Sequence, residues 1–208
     1  MNDIWVLVII GITVILGALI FYENKKSSLY RERKEQQFWD RESKANSTRR
    51  KDITYLNYIE IPLSELPLSP CDDEEITEYQ NIIQNMSTKK LLNLNGKTNT
   101  DLKLEYGVAN LSILSEYDNN YTTTINTLTR WGKRLFDIGQ DENAVTVLEY
   151  NLSIGSDISH NYYMLADYYR KTGKPEEIDR LISLAENTNT LMSQAIITKL
   201  KEIRGYCE

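Results

Sequence analysis

The chain has 208 residues and a formal net charge of −6 at pH 7, and 41% of its residues are hydrophobic. This length is enough for one domain with a hydrophobic core and one further segment. Residues 23–52 carry ten Lys and Arg against six Asp and Glu, whereas residues 53–208 carry fourteen against twenty-three. Because nucleic-acid binding requires a basic face, the acidic majority of the chain argues against a nucleic-acid partner.

Residues 1–3 form a short N-terminus before an uncharged apolar run at residues 4–22, IWVLVIIGITVILGALIFY. As a helix this run would rise about 28 Å, which is enough to cross a bilayer. A cleaved signal peptide is the alternative, but residues 1–3 contain no Lys or Arg, and the run ends in Phe21-Tyr22-Glu23 instead of small residues. We therefore expect a retained transmembrane helix over residues 4–22.

Basic residues follow the apolar run, and none precedes it. The positive-inside rule then places the C-terminal part of the chain in the cytoplasm, in a single-pass protein of the cell membrane. Residues 23–52 are expected to form a basic juxtamembrane linker that is helical. Its basic segment, residues 25–51, has two interpretations that stay open: it binds anionic lipid headgroups of the bilayer, or it is a solvated helix, since charges of both signs recur at helical spacing.

Residues 53–70, ITYLNYIEIPLSELPLSP, are expected to be an extended strap, because proline lacks the N–H that regular structure needs. Ser69 and Pro70 then predict a helix start, with Ser as N-cap and Pro at the first helical position. From residue 71 onward apolar residues recur every three or four positions, with no alternating strand pattern. The fold class predicted for residues 71–208 is therefore all-α.

The first helices of this domain can be outlined from turn residues. Thr100 and Asp101 are expected to open a helix, and the polar stretch Tyr117-Asp-Asn-Asn-Tyr121 is expected to end it. The residues predicted to face inward are Leu104, Val108, Leu111 and Leu114.

An internal repeat occurs at an offset of 34 residues, within residues 125–190. Seven positions align without a gap: Leu128, Trp131, Gly132, Leu135, Gly139, Ala144 and Leu148 with Tyr162, Leu165, Ala166, Tyr169, Gly173, Ile178 and Ile182. The order of large, large, small and large residues, a glycine turn, and then small and large residues resembles the tetratricopeptide repeat. Ile178 departs from the small residue of that family, and Ser156 and Thr190 stand where it has proline.

The resemblance implies a solenoid of helical hairpins, of the membrane-anchored bacterial type, with residues 101–117 and 191–204 completing the stack. In this family the ligand groove is lined by other first-helix positions, which implies a surface that binds a partner protein or peptide. The implied groove residues are Asn126, Thr129, Lys133, Phe136 and Asp137 in the first repeat, and His160, Tyr163, Asp167, Arg170 and Lys171 in the second. A solvated helix face is the alternative.

The best-known carboxylate clamp of the family, which binds chaperones, is not matched. Lys133 stands where that clamp has asparagine and Thr129 where it has lysine, while His160 and Met164 replace a lysine and an asparagine. We therefore expect no chaperone binding.

No catalytic, cofactor or metal site is predicted. His160 is the single histidine, so there is no histidine pair for zinc or for proton relay. No glycine-rich phosphate-binding motif occurs, and Gly173-Lys174-Pro175 is expected to be a break between two helices. An enzyme is not expected.

The sequence predicts a membrane-anchored adaptor or scaffold whose tetratricopeptide-like module lies on the cytoplasmic face. The alternative is an envelope assembly or quality-control factor whose helices lie on the outer side of the membrane. A third possibility is a structural oligomer that associates through Thr13 and Gly17, a small-x-x-x-small pair in the apolar run. The Asn-, Ile- and Lys-rich usage suggests a bacterial source.

Overall fold

The computed structural model describes residues 2–188 and 192–205. Among residues 2–14 it describes the side chain of Val8 alone, and it also omits the side chain of Ala18. The described α-helices are α1 (Asn2–Asn46), α2 (Glu74–Ser87), α3 (Asn99–Tyr106), α4 (Leu111–Asp137), α5 (Asp141–Ser153), α6 (Ser159–Lys171), α7 (Pro175–Asn187) and α8 (Ser193–Gly205). Between them lie 3-10 turns at Leu63–Glu65 and Val108–Asn110. Within these residues the β-structure amounts to one isolated bridge between Ile59 and Leu91, so the predicted all-α class is confirmed.

The chain divides into two compact units. The first unit comprises Met1–Lys51 with Thr98–Leu111, and the second comprises Asp52–Lys97 with Ser112–Glu208. In the first unit α3 packs on the last turns of α1. Arg41 Nη2 lies 2.5 Å from Asp101 Oδ1, and Lys103 Nζ lies 3.0 Å from Glu42 Oε2. These ion pairs hold the end of α1 against α3.

The segment predicted to cross a membrane, residues 4–22, belongs to α1, which continues without a break through the predicted linker to Asn46. In the part of the chain that the structure describes, no helix is both long enough and apolar enough to span a membrane. The side chain of Thr13, one half of the small-residue pair in this segment, lies outside the described part.

The chain turns between α3 and α4 at Gly107, which has φ 90°. A Cβ at Gly107 would overlap the backbone of Arg49, so only glycine fits there. In α3 the buried residues are Leu102 and Tyr106, whereas the predicted Leu104 is half-buried and Val108 is exposed. The predicted inward register is therefore wrong at Leu104, before this turn, and at Val108, directly after it. Leu114, beyond the turn, is buried as predicted.

The predicted helix end at Tyr117–Tyr121 is wrong, because α4 continues through it to Asp137. Asp118 Oδ1 accepts a hydrogen bond from Leu94 N at 3.2 Å, and Asn120 Nδ2 donates one to Lys90 O at 3.1 Å. These side chains are therefore engaged by the segment before α3 and do not compete for the hydrogen bonds of their own helix. Tyr121 is fully buried, which fixes the helix at this point.

The predicted helix start at Ser69 and Pro70 is also wrong. The N-cap of α2 is Asp73, whose Oδ1 accepts a hydrogen bond from Ile76 N at 3.1 Å. Gln80 Nε2 on α2 instead donates hydrogen bonds to Pro67 O and Ser69 O, at 3.3 and 3.1 Å. These bonds keep the chain before Asp73 against the side of the helix, outside it.

Two hydrophobic clusters form the core of the second unit. The first joins α2, α4 and the start of α5 around the fully buried Trp131, and it includes Ile61 and Leu66 from the 53–70 segment. The second joins α5 to α8 around Leu165 and Leu181. The aligned large and small positions of the repeat are buried, except Ile182, which is half-buried, and the turn residues Gly139 and Gly173, which are exposed.

Gly132 explains why a small residue is needed on the first helix of a hairpin. A Cβ at this position would lie 2.5 Å from both Cδ2 and Cγ of Leu148, a fully buried residue of α5. The absence of a side chain therefore lets α4 and α5 approach closely. Gly139 and Gly173, with φ 77° and 67°, turn the chain after the first helix of each hairpin.

The last helix, α8, packs against α6 and α7. Ile196 and Leu200 on α8 are fully buried in the second cluster. Thr190, at the end of the second predicted repeat, and Leu191, at the start of the predicted final helix, lie outside the described residues, as does Cys207.

Candidate functional site

A groove of about 280 Å³ lies between the C-terminal part of α4, the start of α5 and one side of α6. Its lining residues are Lys133, Phe136, Asp137, Asp141, His160, Met164, Asp167, Tyr168 and Lys171. On both helices these residues follow the three- and four-residue spacing of one helical face. The opposite faces of the same helices carry the core residues, so packing of the core orients the groove.

Aromatic rings form the floor of the groove. The ring centroids of Phe136 and Tyr168 are 5.9 Å apart, with an angle of 38° between the ring planes. Phe136 is half-buried and contacts both hydrophobic clusters. Met164 and Tyr168 pack against the second cluster. The floor is therefore supported from behind and presents apolar surface to the groove.

Tyr169 anchors the helix that carries this floor. Its ring contacts that of Tyr168, with centroids 5.6 Å apart, and its hydroxyl donates a hydrogen bond to Glu149 Oε1 at 2.7 Å. Arg180 Nη2 lies 2.5 Å from the same carboxylate oxygen, so the contact joins α5, α6 and α7. Burial, followed by the hydrogen bond to Glu149, raises the pKa of Tyr169.

The rim of the groove is charged, and its charges are only partly paired. Lys133 Nζ lies 2.6 Å from Asp137 Oδ2, and Asp167 Oδ1 lies 3.4 Å from Arg170 Nη2. Asp141 and Lys171 are exposed, and neither forms an ion pair with any residue that the structure describes. One carboxylate and one ammonium group are therefore free to bind a ligand.

Six of the ten groove residues implied by the resemblance line this cavity: Lys133, Phe136, Asp137, His160, Asp167 and Lys171. These six residues lie on one face of α4 and on one face of α6.

The other four predicted residues are not among the lining residues. Thr129 is half-buried, and its Oγ1 accepts a hydrogen bond from Asn151 Nδ2 of α5 at 3.1 Å. The Thr129 hydroxyl is therefore bound to α5 and does not face the groove. Tyr163 packs against the second cluster. Asn126 is exposed and donates to Thr122 O of its own helix, and Arg170 is exposed beside Asp167.

Sequence reasoning missed Asp141, Met164 and Tyr168 as lining residues. Met164 and Tyr168 stand four and eight residues after His160, so helical spacing alone could have identified them. Asp141 carried no such signal, because the turn at Gly139 brings it to the groove from a different helix.

The groove combines apolar rings with groups that can form hydrogen bonds and ion pairs. Among the described residues, no group of three or more His, Cys, Asp or Glu side chains is arranged to hold a metal ion. Compared with known proteins, the chain matches no protein family, no curated protein and no solved structure.

Proposed function

We propose that this chain is a membrane-anchored adaptor or scaffold that binds a segment of a partner protein in the groove between α4 and α6. The observation that carries the proposal is an aromatic floor beside an unpaired carboxylate, Asp141, and an unpaired ammonium, Lys171. Concave sites with an apolar floor and a few polar groups are the usual form of binding pockets. An extended peptide with one large apolar side chain and flanking charged groups fits this chemistry.

The tetratricopeptide-like character of the module is part of the proposal. Its support is the pair of helical hairpins, α4 with α5 and α6 with α7, whose core positions and glycine turns recur with the sequence repeat. The buried face of α8 supplies the surface that would close such a stack at its C-terminal end.

Anchoring of residues 4–22 in a membrane is also proposed, on the absence of charge in this run. Where side chains are described, large apolar residues of α1 are exposed, including Ile15, Ile20 and Phe21. Lipid would cover them. The basic residues that follow support a cytoplasmic location for the module and contact of residues 25–51 with anionic lipid.

Site-specific photocrosslinking in membranes tests the groove. A photoreactive residue at Met164, inside the groove, should capture a partner, whereas one at Glu176, exposed in the first turn of α7, should not. Tyr168→Ala with Lys171→Ala should abolish the adduct at position 164. Equal capture at both positions, or capture that survives the double substitution, would contradict the proposed groove.

Membrane extraction and thiol labelling test the rest of the proposal. The chain should stay with membranes after alkaline washing, because the apolar run would be inserted. In a Cys71→Ser background, a membrane-impermeant thiol reagent should reach Cys207 only after cells are opened. Labelling of intact cells would instead support the envelope assembly or quality-control factor.

A further inference from the structure

We propose that one face of α1 is a binding site for the phosphate headgroup of a single anionic phospholipid. The site is formed by Tyr22, Lys25, Lys26, Tyr30 and Arg33. The inference rests on the proposed membrane anchoring, because the anchor places a phospholipid layer at the end of the apolar run. It goes beyond a general contact of residues 25–51 with lipid, since it assigns the headgroup to three basic residues on one face.

The site is a depression of about 650 Å³ between side chains of α1, directly after the apolar run. This volume is within the range of small-ligand sites, about 300–1,000 Å³. Three cationic side chains and one carboxylate, that of Glu23, are among its lining residues, so the depression is net basic. Its cationic and aromatic lining residues are Tyr22, Lys25, Lys26, Tyr30 and Arg33.

Helix geometry directs the basic side chains of the site towards the proposed bilayer. Lys26 and Arg33 stand seven residues apart on a continuous helix, so they lie two turns apart on the same face. Side chains of an α-helix tilt towards its N-terminus, and the N-terminal part of α1 is the proposed anchor. The side chains of Lys26 and Arg33 therefore extend back towards the headgroups.

The position of the site along α1 matches the depth of phospholipid headgroups. Lys26 stands four residues beyond Tyr22, a rise of about 6 Å, and the headgroup layer on one side is about 5–8 Å thick. Arg33 stands about 16 Å beyond Tyr22, or about 13 Å along the membrane normal in a helix tilted by about 40°. Long basic side chains near the end of a membrane helix reach back to the interface. Lys26 thus contacts the phosphate within the headgroup layer, and Arg33 contacts it from the water side.

The three cations of the site are available to an anion. In the part of the chain that the structure describes, Lys25, Lys26 and Arg33 are exposed and none of them forms an ion pair. The carboxylate of Glu32, beside Arg33 in the sequence, instead accepts a hydrogen bond from Ser28 Oγ at 3.2 Å. A guanidinium can bind two oxygens of one phosphate, so Arg33 suits this ligand in particular.

The tyrosines of the site favour a phospholipid over a free phosphate ion. Tyr22 and Tyr30 are 63% and 62% exposed. Tyrosine is enriched at membrane–water interfaces, where its ring contacts apolar groups and its hydroxyl remains near the headgroups. The hydroxyl can also donate a hydrogen bond to a phosphate oxygen. A free phosphate ion has no apolar part to cover the ring of Tyr22, whereas a phospholipid does.

Diffuse attraction of all basic residues to an anionic surface is the competing explanation, and it depends on the number of charges and not on the helix face. Two charge-matched variants separate the explanations. Lys26→Gln with Arg33→Gln removes two charges from the site. Arg31→Gln with Lys34→Gln removes two charges from positions about 160° and 100° around the helix from Arg33.

The two control residues have other contacts within α1. Arg31 Nη2 lies 3.4 Å from Ser27 Oγ, and Lys34 Nζ lies 5.7 Å from the ring centroid of Tyr30. Both variants keep the apolar run, and circular dichroism should show the helical content of the wild type in each. A difference in lipid binding between them then reports the position of the removed charges.

Titration of the full-length chain with phosphatidylglycerol in nonionic detergent tests the site, with bound lipids counted by native mass spectrometry. Loss of one basic residue near the phosphate should weaken binding about fivefold, so the site variant should bind about 25-fold more weakly than the wild type. The control variant should bind less than about twofold more weakly at about 0.15 M salt, because the helix diameter of about 10 Å exceeds the Debye length of about 8 Å.

Two further ligands identify the chemistry of the occupant. Phosphatidylcholine should bind more weakly than phosphatidylglycerol, because its choline offsets the phosphate charge. Inorganic phosphate at the same concentration should not displace bound phosphatidylglycerol. Displacement by inorganic phosphate would identify a free anion as the ligand, and equal binding of both lipids would exclude selection for an anionic headgroup. Either result would overturn the proposed occupant.

The anchoring and the headgroup site can fail separately. If alkaline washing releases the chain from membranes, the proposed anchoring fails, and the reason to assign a lipid to this face is lost with it. If the chain stays in membranes and the two charge-matched variants lose phosphatidylglycerol equally, the anchoring stands and the attraction is diffuse. If neither variant loses phosphatidylglycerol, the anchoring again stands and the basic residues of α1 do not bind the headgroup.

Discussion

Arg134 on α4 binds Asp73, the N-cap residue of α2, with Nη2 and Nε 2.6 and 3.0 Å from the same oxygen, Oδ2. The other oxygen of Asp73 accepts the hydrogen bond from Ile76 N that begins α2. One carboxylate thus begins a helix and ties it to the longest helix of the second unit. The Arg134 guanidinium, followed by the capping bond, lowers the pKa of Asp73.

This contact predicts a loss of stability in acid. Because the folded-state pKa of Asp73 is lower than its ordinary value of about 3.9, its stabilising effect is complete above that value and is lost as the pH falls through the folded-state pKa. Asp73→Asn keeps a capping oxygen but removes the charge, so its unfolding free energy should fall less steeply with acid than that of the wild type. Thermal unfolding followed by circular dichroism between pH 2 and 5, taken as an approximate window, measures this. Parallel acid profiles in the two proteins would exclude Asp73 as the source.

Gly132→Ala should destabilise the chain despite the better helix propensity of alanine. The added Cβ would overlap Leu148, which is fully buried and cannot move aside. A net loss of about 1–2 kcal/mol is expected in denaturant unfolding. Combined with Leu148→Ala, the substitution should cost less than the sum of the two single changes, because the clash is removed. Simple additivity would show that the two residues do not limit the approach of α4 and α5.

Tyr169 should show two separable contributions to stability. The side chain is 6% exposed, so Tyr169→Ala should cost about 3 kcal/mol as a core truncation. Tyr169→Phe retains the ring and loses only the bond to Glu149, so it should cost about 1 kcal/mol. Equilibrium unfolding of both variants checks the difference. Equal losses would mean that the ring contributes little and that α6 is held by the hydroxyl.

Alkaline pH should release the segment that precedes α2. The Tyr150 hydroxyl donates a hydrogen bond to Glu60 O at 3.0 Å, and burial, followed by the charge of Glu65, raises the pKa of Tyr150 to about 12. A raised pKa means that its stabilising effect is complete below the ordinary value of about 10 and is lost as the pH rises towards the folded-state value.

Tyr150→Phe is the matched variant for this alkaline effect, because it cannot ionise. It should lose less stability between pH 10 and 12 than the wild type does, over this approximate range. The remaining loss belongs to Tyr58, Tyr121, Tyr162 and Tyr169, whose pKa values burial also raises. If stability falls with alkaline pH equally in Tyr150→Phe and the wild type, the whole effect belongs to those four residues.

The groove predicts that binding and stability respond to different tyrosines. Tyr168→Ala should weaken capture of a partner by a photocrosslinker at Met164 and leave the helical content unchanged, since Tyr168 is only half-buried. Tyr163→Ala, on the neighbouring face, is the control and should leave capture intact. If Tyr163→Ala reduced capture and Tyr168→Ala did not, the binding surface would follow the positions implied by the tetratricopeptide resemblance and not the observed cavity.

Local spacing was sufficient to identify the buried face of each hairpin. Trp131, Leu135, Leu165 and Tyr169 are buried as their three- and four-residue spacing predicts. A helix imposes this period on any sequence, so a repeated pattern of large and small residues can be converted into an inward face without knowledge of the partner helix. The glycine turns can be predicted from the sequence for the same reason, because the need for glycine is local to the turn.

The tertiary structure decided where helices begin and end and which residues share the groove. The sequence around Asn120 predicts a helix end, but in the structure the Asn120 amide donates to Lys90 O and the helix continues. Asp73, and not Ser69, is the cap of α2, and its other oxygen binds Arg134, 61 residues away in the sequence. Asp141 reaches the groove only through the fold. A polar side chain can form hydrogen bonds with several different partners. Its role therefore depends on which distant groups the packed core brings within hydrogen-bonding distance. The spacing of apolar residues, in contrast, is set by the helix itself.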